Sequence, residues 1–116
     1  MPQPRRAAWE PDRRTAFVVG VLGNGRTAEL LGVSKSQPSR WKTAAEVPAP
    51  VTASRLIDLD AVLAKLVLLW DRSLADAWLT GSNPYLDGAR PIDVLAMAGA
   101  ADVLRAIDEE ASGAYA

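Results

Sequence analysis

Residues 78–95 read WLTGSNPYLDGARPIDVL, and this stretch decides the fold because it sets a short, turn-rich loop between two helical patterns. The pair Asn83-Pro84 is typical of the start of a turn, since an Asn side chain can hydrogen-bond the main chain that follows it. Gly88 permits a positive φ, and Pro91 suits the first turn of a helix, where no N–H is needed. Three apolar side chains are expected to anchor the loop to the core: Trp78, Leu86 and Leu95.

Helical patterns lie on both sides of this loop. Upstream, leucines recur every three or four residues from Arg55 to Trp70, and a further helix is expected at about Ser73 to Leu79. The Arg55–Trp70 helix is apolar over too much of its surface to be solvated. It must bury two faces, one against the N-terminal part and one against the C-terminal part or a second chain. We expect Thr52 or Ser54 to cap it and a last short helix to follow Gly99.

A second informative stretch, Thr27–Lys42, predicts two short helices joined by a tight turn. Ala28 and Leu31 carry the inner face of the first helix. Gly32 lets the backbone take a left-handed turn, and Val33 fills the angle between the helices. This order is typical of a helix-turn-helix and resembles the Xre-type, or Cro-like, motif.

The second helix of that pair is expected to begin at Lys35. Ser34 and Gln37 are spaced as a capping box, and Trp41 packs inward. Gln pairs with adenine, Arg with guanine, and Lys and Ser with phosphate, so the outer face has the chemistry of a DNA reader. Pro38 weakens base reading because it removes an early helical hydrogen bond, and a merely solvated polar face is the alternative. The predicted DNA-binding residues are Ser34, Lys35, Ser36, Gln37, Ser39, Arg40 and Lys42.

Before this pair, one more helix is expected to start at Pro11 and to end at Gly23-Asn24-Gly25. Apolar residues recur at helical spacing between Phe17 and Leu22. The same residues have β propensity, which leaves a strand as the alternative for this segment.

The net charge of −1 conceals two halves of opposite sign. Up to Arg55 the chain has 9 Lys and Arg against 4 Asp and Glu, whereas the remainder has 4 against 10. The sequence lacks Cys and His, which excludes disulfides, zinc fingers, thiol nucleophiles and the commonest general base. We therefore expect no enzyme, no metal site and no cofactor. No apolar run approaches the roughly 20 residues of a membrane span, and we expect a soluble, cytoplasmic protein.

A family resemblance rests on eight positions of the loop and its flanks. They are Trp78, Leu79, Asn83, Pro84, Leu86, Gly88, Pro91 and Leu95, and their series resembles the toxin-binding domain of MbcA/ParS/Xre antitoxins, the partners of RES-domain toxins. In that family a helix-turn-helix precedes this domain, as Thr27–Lys42 does here. The resulting prediction is an all-α chain in three parts: a flexible basic arm at 1–10, a helix-turn-helix module at 11–50, and a small helical toxin-binding domain at 51–116.

The resemblance implies an antitoxin that neutralises a RES toxin by closing the toxin's NAD-degrading active site with its C-terminal region. It also implies operator DNA as a second partner and assembly as a homodimer or a hetero-oligomer with the toxin. The implied toxin-binding residues are Asn83, Pro84, Gly88, Gly113, Ala114, Tyr115 and Ala116, the last four forming a plug. The alternative is a stand-alone helix-turn-helix transcriptional regulator whose C-terminal helices serve dimerisation.

Overall fold

The computed structural model describes residues 11–113, with side chains described from residue 13 onward. All regular structure in this range is helical, which confirms the all-α prediction for the described part of the chain. The helices are α1 (Pro11–Leu22), α2 (Asn24–Leu31), α3 (Gln37–Lys42), α4 (Pro50–Leu69), α5 (Ala75–Thr80), α6 (Pro91–Ala98) and α7 (Ala101–Gly113). Two 3-10 turns, Arg72–Leu74 and Pro84–Leu86, flank α5. The predicted arm at 1–10 lies outside the described residues.

The segment from Phe17 to Leu22 is helical, so the strand alternative is wrong. Its β-branched residues lie in consecutive turns of α1, and Val18 among them is completely buried. The break after α1 is a single residue, Gly23, whose φ of 90° lets α2 begin at once. Thr27 tightens this junction, because its side-chain Oγ1 donates to the Gly23 carbonyl at 2.7 Å.

The central helix α4 begins five residues earlier than the sequence pattern indicates. Pro50 lies in its first turn and Ala49 is the N-cap, so the predicted caps Thr52 and Ser54 lie inside the helix and the prediction is wrong. A proline with its fixed φ starts a helix well, which explains the shift. The prediction that this helix buries two faces is confirmed, since α4 packs on α1 and α2 and also on α5, α6 and α7.

One hydrophobic core runs through the whole described chain. It includes Val18 and Trp41 from the N-terminal helices, Leu63 from α4, and Leu79 and Ile107 from the C-terminal ones. The core is therefore continuous across residue 50, and the predicted domain boundaries stay a prediction.

The last helix is longer than expected. Helix α7 continues to Gly113, and its inner face buries Val103, Ala106 and Ile107, all at or below 1% exposure. Upstream, the helix expected from Ser73 is divided into a 3-10 turn, capped by the Asp71 carboxylate, and α5. None of the described helices combines the length and apolar content that crossing a membrane requires.

Candidate functional site

The loop at residues 81–90 is closed around Asn83. The main-chain N–H of Asn83 donates to the Ala89 carbonyl at 3.1 Å, and its own carbonyl accepts from Leu86 and Gly88 at 3.0 and 2.9 Å. Its side-chain Oδ1 accepts from the Tyr85 N–H at 2.9 Å. Asn83 is 4% exposed, so it holds the loop in shape from within rather than lying on the surface.

Two consecutive left-handed residues give this loop its reversal. Asp87 has a φ of 56° and Gly88 a φ of 84°, as the glycine pattern predicts for the second. Ser82 Oγ adds a bond to the Gly88 carbonyl at 2.8 Å, and Leu86 is buried in the core beneath. The result is a compact loop whose outer surface carries Pro84.

The end of α7 lies against the same loop. A Cβ added at Gly113 would come within 3.1 Å of the Tyr85 hydroxyl, so the end of α7 and the loop approach closely at this point. The structure thus brings together the implied toxin-binding residues Asn83, Pro84, Gly88 and Gly113. The other three, Ala114, Tyr115 and Ala116, lie outside the described residues.

A groove runs between α5 and α7 and ends at this loop. Its centre is a hydrogen bond from Trp78 Nε1 to Glu110 Oε1 at 2.9 Å. On one side lies a pocket of about 110 Å³, bordered by Trp70 and Leu74, and on the other a wider, open pocket of about 440 Å³, bordered by Tyr85. Trp78 and Glu110 border both pockets, which makes them one α5–α7 groove. Leu74 and Tyr85 are 53% and 41% exposed, so the groove presents apolar and aromatic surface to solvent.

The sequence patterns did not indicate Tyr85 as part of this surface, and they indicated Glu110 only as one of several acidic residues of the domain, without its bond to Trp78. Tyr85 lies within the motif but is not one of its eight positions. The motif alone also does not indicate that α7 packs against Tyr85. Glu110 lies 32 positions from Trp78. The one signal in the sequence is that a half-buried indole N–H requires an acceptor.

Helices α2 and α3 form a second candidate surface. Gly32 is left-handed, with a φ of 71°, and Val33 packs on the core, both as predicted. Helix α3 begins at Gln37 and not at Lys35, so that prediction is wrong by two residues. The concern about Pro38 is wrong for the same reason, since in the first turn of α3 the proline removes no helical hydrogen bond.

The capping box forms only in part. The Ser34 N–H donates to Gln37 Oε1 at 3.1 Å, as predicted. In the return direction, the Gln37 N–H bonds to the main-chain carbonyl of Ser34 at 3.0 Å and not to its hydroxyl. The two residues therefore close a turn of main chain ahead of α3, with one side-chain bond supporting it.

Six of the seven predicted DNA-binding residues are exposed; Gln37 is half-buried. Its amide is already engaged, because Oε1 accepts from Ser34 and Nε2 donates to Glu46 Oε2 at 3.1 Å. Arg40 also bonds the same carboxylate, from Nε to Glu46 Oε1 at 2.6 Å, and donates from Nη1 to Ser36 Oγ at 2.9 Å. The hydrogen bond from Arg40 and, to a smaller extent, the one from Gln37 hold the pKa of Glu46 below its usual range. Sequence analysis did not single out Glu46.

An ion pair links the two surfaces. The Arg26 guanidinium of α2 bonds both carboxylate oxygens of Asp76 in α5, from Nε at 2.6 Å and from Nη2 at 2.8 Å. Its Nη1 donates to Glu29 at 3.0 Å. The bonds from Arg26 hold the pKa of Asp76 below its usual range. The sequence patterns did not indicate this pair, whose members are 50 positions apart.

Comparison with protein families gives a match to the part of the chain that forms the loop and the groove. Residues 59–113 match the family described as the antitoxin Xre/MbcA/ParS C-terminal toxin-binding domain. Comparison with curated proteins gives no match, and comparison with solved structures gives none. The matched range begins within α4 and contains the 81–90 loop, the α5–α7 groove and α7 to Gly113, and such a domain implies a toxin partner. Residues 59–113 are therefore similar to the C-terminal toxin-binding domain of Xre/MbcA/ParS antitoxins.

Proposed function

We propose that the chain is a non-catalytic cytoplasmic antitoxin that neutralises a RES-domain toxin by closing the toxin's NAD-degrading site. The single observation that carries this proposal is the family match over residues 59–113. We choose a RES toxin because the eight-position loop motif resembles that of antitoxins whose partners are RES-domain toxins.

The surface around the loop supports a contact of this kind. Exposed apolar and aromatic side chains, above all Leu74 and Tyr85, line the α5–α7 groove, and aromatic residues are favoured at the centres of protein interfaces. The part of the chain after Arg55 carries 4 Lys and Arg against 10 Asp and Glu, which would steer a basic partner toward it. In the proposal, the groove receives apolar side chains of the toxin.

The plug is the second element of the proposal. Residues 113–116 would leave this surface at Tyr85 and enter the toxin's cleft, with Tyr115 as the one aromatic group. Asn83 uses its main-chain N–H and carbonyl and its side-chain Oδ1 within the loop, so its role in binding is to fix the shape that Pro84 and Gly88 present.

The test is co-expression with the RES toxin encoded beside the gene. The full chain should restore growth and cellular NAD, whereas a chain lacking residues 113–116 should restore less of both while it keeps its helical circular dichroism. Arg40→Ala is the matched control because it changes the α3 surface and leaves the loop and the groove as they are, and it should neutralise normally. Growth arrest despite a stable complex would contradict neutralisation, and full rescue by the shortened chain would move the inhibitory contact elsewhere.

We propose further that the α2–α3 surface binds operator DNA and so represses the chain's own operon. Support comes from the left-handed turn at Gly32, the buried Trp41 and the exposed cations Lys35, Arg40 and Lys42. Both amide atoms of Gln37 are engaged, whereas the bonds of Arg40 to Glu46 and Ser36 leave part of its guanidinium for DNA, so Arg40 is the better base reader. Arg40→Ala should weaken binding to upstream DNA by about tenfold or more in a gel shift. Equal binding by Arg40→Ala would leave this surface as a scaffold.

Assembly is the remaining element. Ile57 and Leu68 are 37% and 84% exposed on α4, one face of which is thus apolar toward solvent. We propose that a second copy of the chain or the toxin covers this face. Light scattering on the chain with and without toxin separates a homodimer from a hetero-oligomer. A chain that dimerises, binds DNA and has no effect on toxin would be the stand-alone regulator.

A further inference from the structure

Glu46 occupies the two side chains with which α3 would read bases. Its Oε1 accepts from Arg40 Nε at 2.6 Å and its Oε2 accepts from Gln37 Nε2 at 3.1 Å. Both oxygens of one carboxylate are therefore used, each by a different residue of the helix. Arg40 also donates to Ser36, so only part of its guanidinium is left to meet DNA.

The backbone builds this arrangement. After α3 the chain turns back through Ala44, which is left-handed with a φ of 62°. The N–H groups of Ala45 and Glu46 then both donate to the Arg40 carbonyl, at 2.8 and 3.2 Å. A non-glycine residue in this region costs some backbone strain. The carboxylate lies beside Arg40 because the end of the helix is closed in this way, and not through one side-chain rotamer alone.

A carboxylate here changes what the surface attracts. Lys35 and Lys42 give the surface a positive charge that favours any DNA, whatever its sequence. Glu46 lies beside Arg40 on this surface, and its negative charge repels phosphate. Its Oε1 takes an Arg40 N–H that would otherwise be available to O6 or N7, the two acceptors through which guanine binds arginine. The side chains of Arg40 and Glu46 are 47% and 35% exposed, so a base edge can reach this pair from solvent.

We propose that Glu46 is a specificity-determining residue of the α3 surface. Its carboxylate holds the Arg40 guanidinium until a guanine edge, with two acceptors of its own, replaces it, and it opposes contacts that phosphate alone would make. This inference rests on the DNA binding proposed above. Glu46 therefore lowers the affinity of the chain for DNA of any sequence while the affinity for operator DNA is retained.

The test compares Glu46→Gln with the wild-type full chain by fluorescence anisotropy on two labelled duplexes. One is the DNA immediately upstream of its own coding sequence and the other is a shuffled version of it. Glu46→Gln should bind the shuffled duplex about two- to fivefold more tightly, the range of an exposed ion pair, and the upstream duplex with less change. The plot of log affinity against log salt should steepen by about one unit on the shuffled duplex, because the freed Arg40 neutralises one more phosphate.

The matched control is Glu109→Gln, which removes the same charge from an exposed position of α7. It should leave both the affinity ratio and the salt slope as in the wild type. If Glu46→Gln behaves like this control while the wild type binds upstream DNA, the role of Glu46 is overturned. If neither the wild type nor Glu46→Gln binds either duplex at low salt, the DNA binding proposed above is overturned instead, and this inference falls with it.

Discussion

The 81–90 loop and the α3 surface are both held by hydrogen bonds beside left-handed residues, but the bonds differ in kind. In the loop, the buried Asn83 is bonded to main-chain groups of four other loop residues. On the α3 surface, the exposed Arg40 is bonded to the side chains of Ser36 and Glu46. Main-chain bonds fix a shape, whereas exposed side-chain bonds can be exchanged for those of a ligand. The loop is thus suited to recognition by shape, and the α3 surface to recognition by charge and hydrogen bonding.

These two regions nevertheless share one core, and a substitution at either end tests whether they unfold together. Trp41→Ala removes a side chain with 0% exposure and should lower the free energy of unfolding by about 3–5 kcal/mol. Leu79→Ala, also at 0% exposure but in α5, should cost about 2–5 kcal/mol. In both variants, circular dichroism and tryptophan fluorescence should report a single coincident urea transition, because α4 contacts both groups of helices.

The outcome that breaks this expectation is a two-step transition in Trp41→Ala. It would mean that the C-terminal helices stay folded when the N-terminal ones are lost. The loop and the α3 surface would then belong to separately folding units, despite their continuous core. Trp41→Phe serves as the control, since it keeps an aromatic ring in place and should be milder.

The loop could be predicted from the sequence because its structure is local. The side chain of Asn83 bonds a residue two positions ahead and its carbonyl reaches Gly88, so the turn chemistry of these residues determines the fold of the loop. The bonds that complete the groove and join the two surfaces are not local. Trp78 meets Glu110 and Arg26 meets Asp76 only after α4 has brought the helices together.

Proline accounts for the errors in helix bounds. Pro38 and Pro50 both read as interruptions of a pattern, yet each lies in the first turn of a helix, α3 and α4 respectively. The apolar periodicity of a helix begins only where the helix meets the core, so it misses an exposed first turn. Glu46 was missed for a related reason, because it follows α3 and returns to it only through the left-handed Ala44.

Glycine substitutions sharpen the view that backbone conformation holds the loop. Gly88 has a φ of 84°, and a Cβ there would lie 3.7 Å from Ser82 Oγ, which is ordinary contact. Gly88→Ala should therefore cost about 1–2 kcal/mol through backbone strain alone. Gly20 lies within α1 with open space around it, and Gly20→Ala should stabilise by about 0.5–1 kcal/mol. Urea midpoints measure both, and a Gly88→Ala chain as stable as the wild type would show that the loop does not depend on this φ.

The smallest expected effect concerns the ion pair between Arg26 and Asp76, which joins the two regions. The Asp76 side chain is 41% exposed, so solvent screening should keep the cost of Asp76→Asn below about 1 kcal/mol. Because the folded protein lowers the pKa of Asp76, its contribution is present above the unfolded value of about 3.9 and is lost as the pH falls through the lower folded value.

The difference in unfolding midpoint between wild type and Asp76→Asn should therefore be constant near neutral pH and shrink in acid. Asp102→Asn is the control, since Asp102 pairs with Arg105 within α7 and joins no separate elements. It should change the midpoint less than Asp76→Asn at neutral pH. A difference for Asp76→Asn that persists in acid would mean that Asp76 acts through packing and not through its charge. In that case the two regions would be joined by their shared core alone.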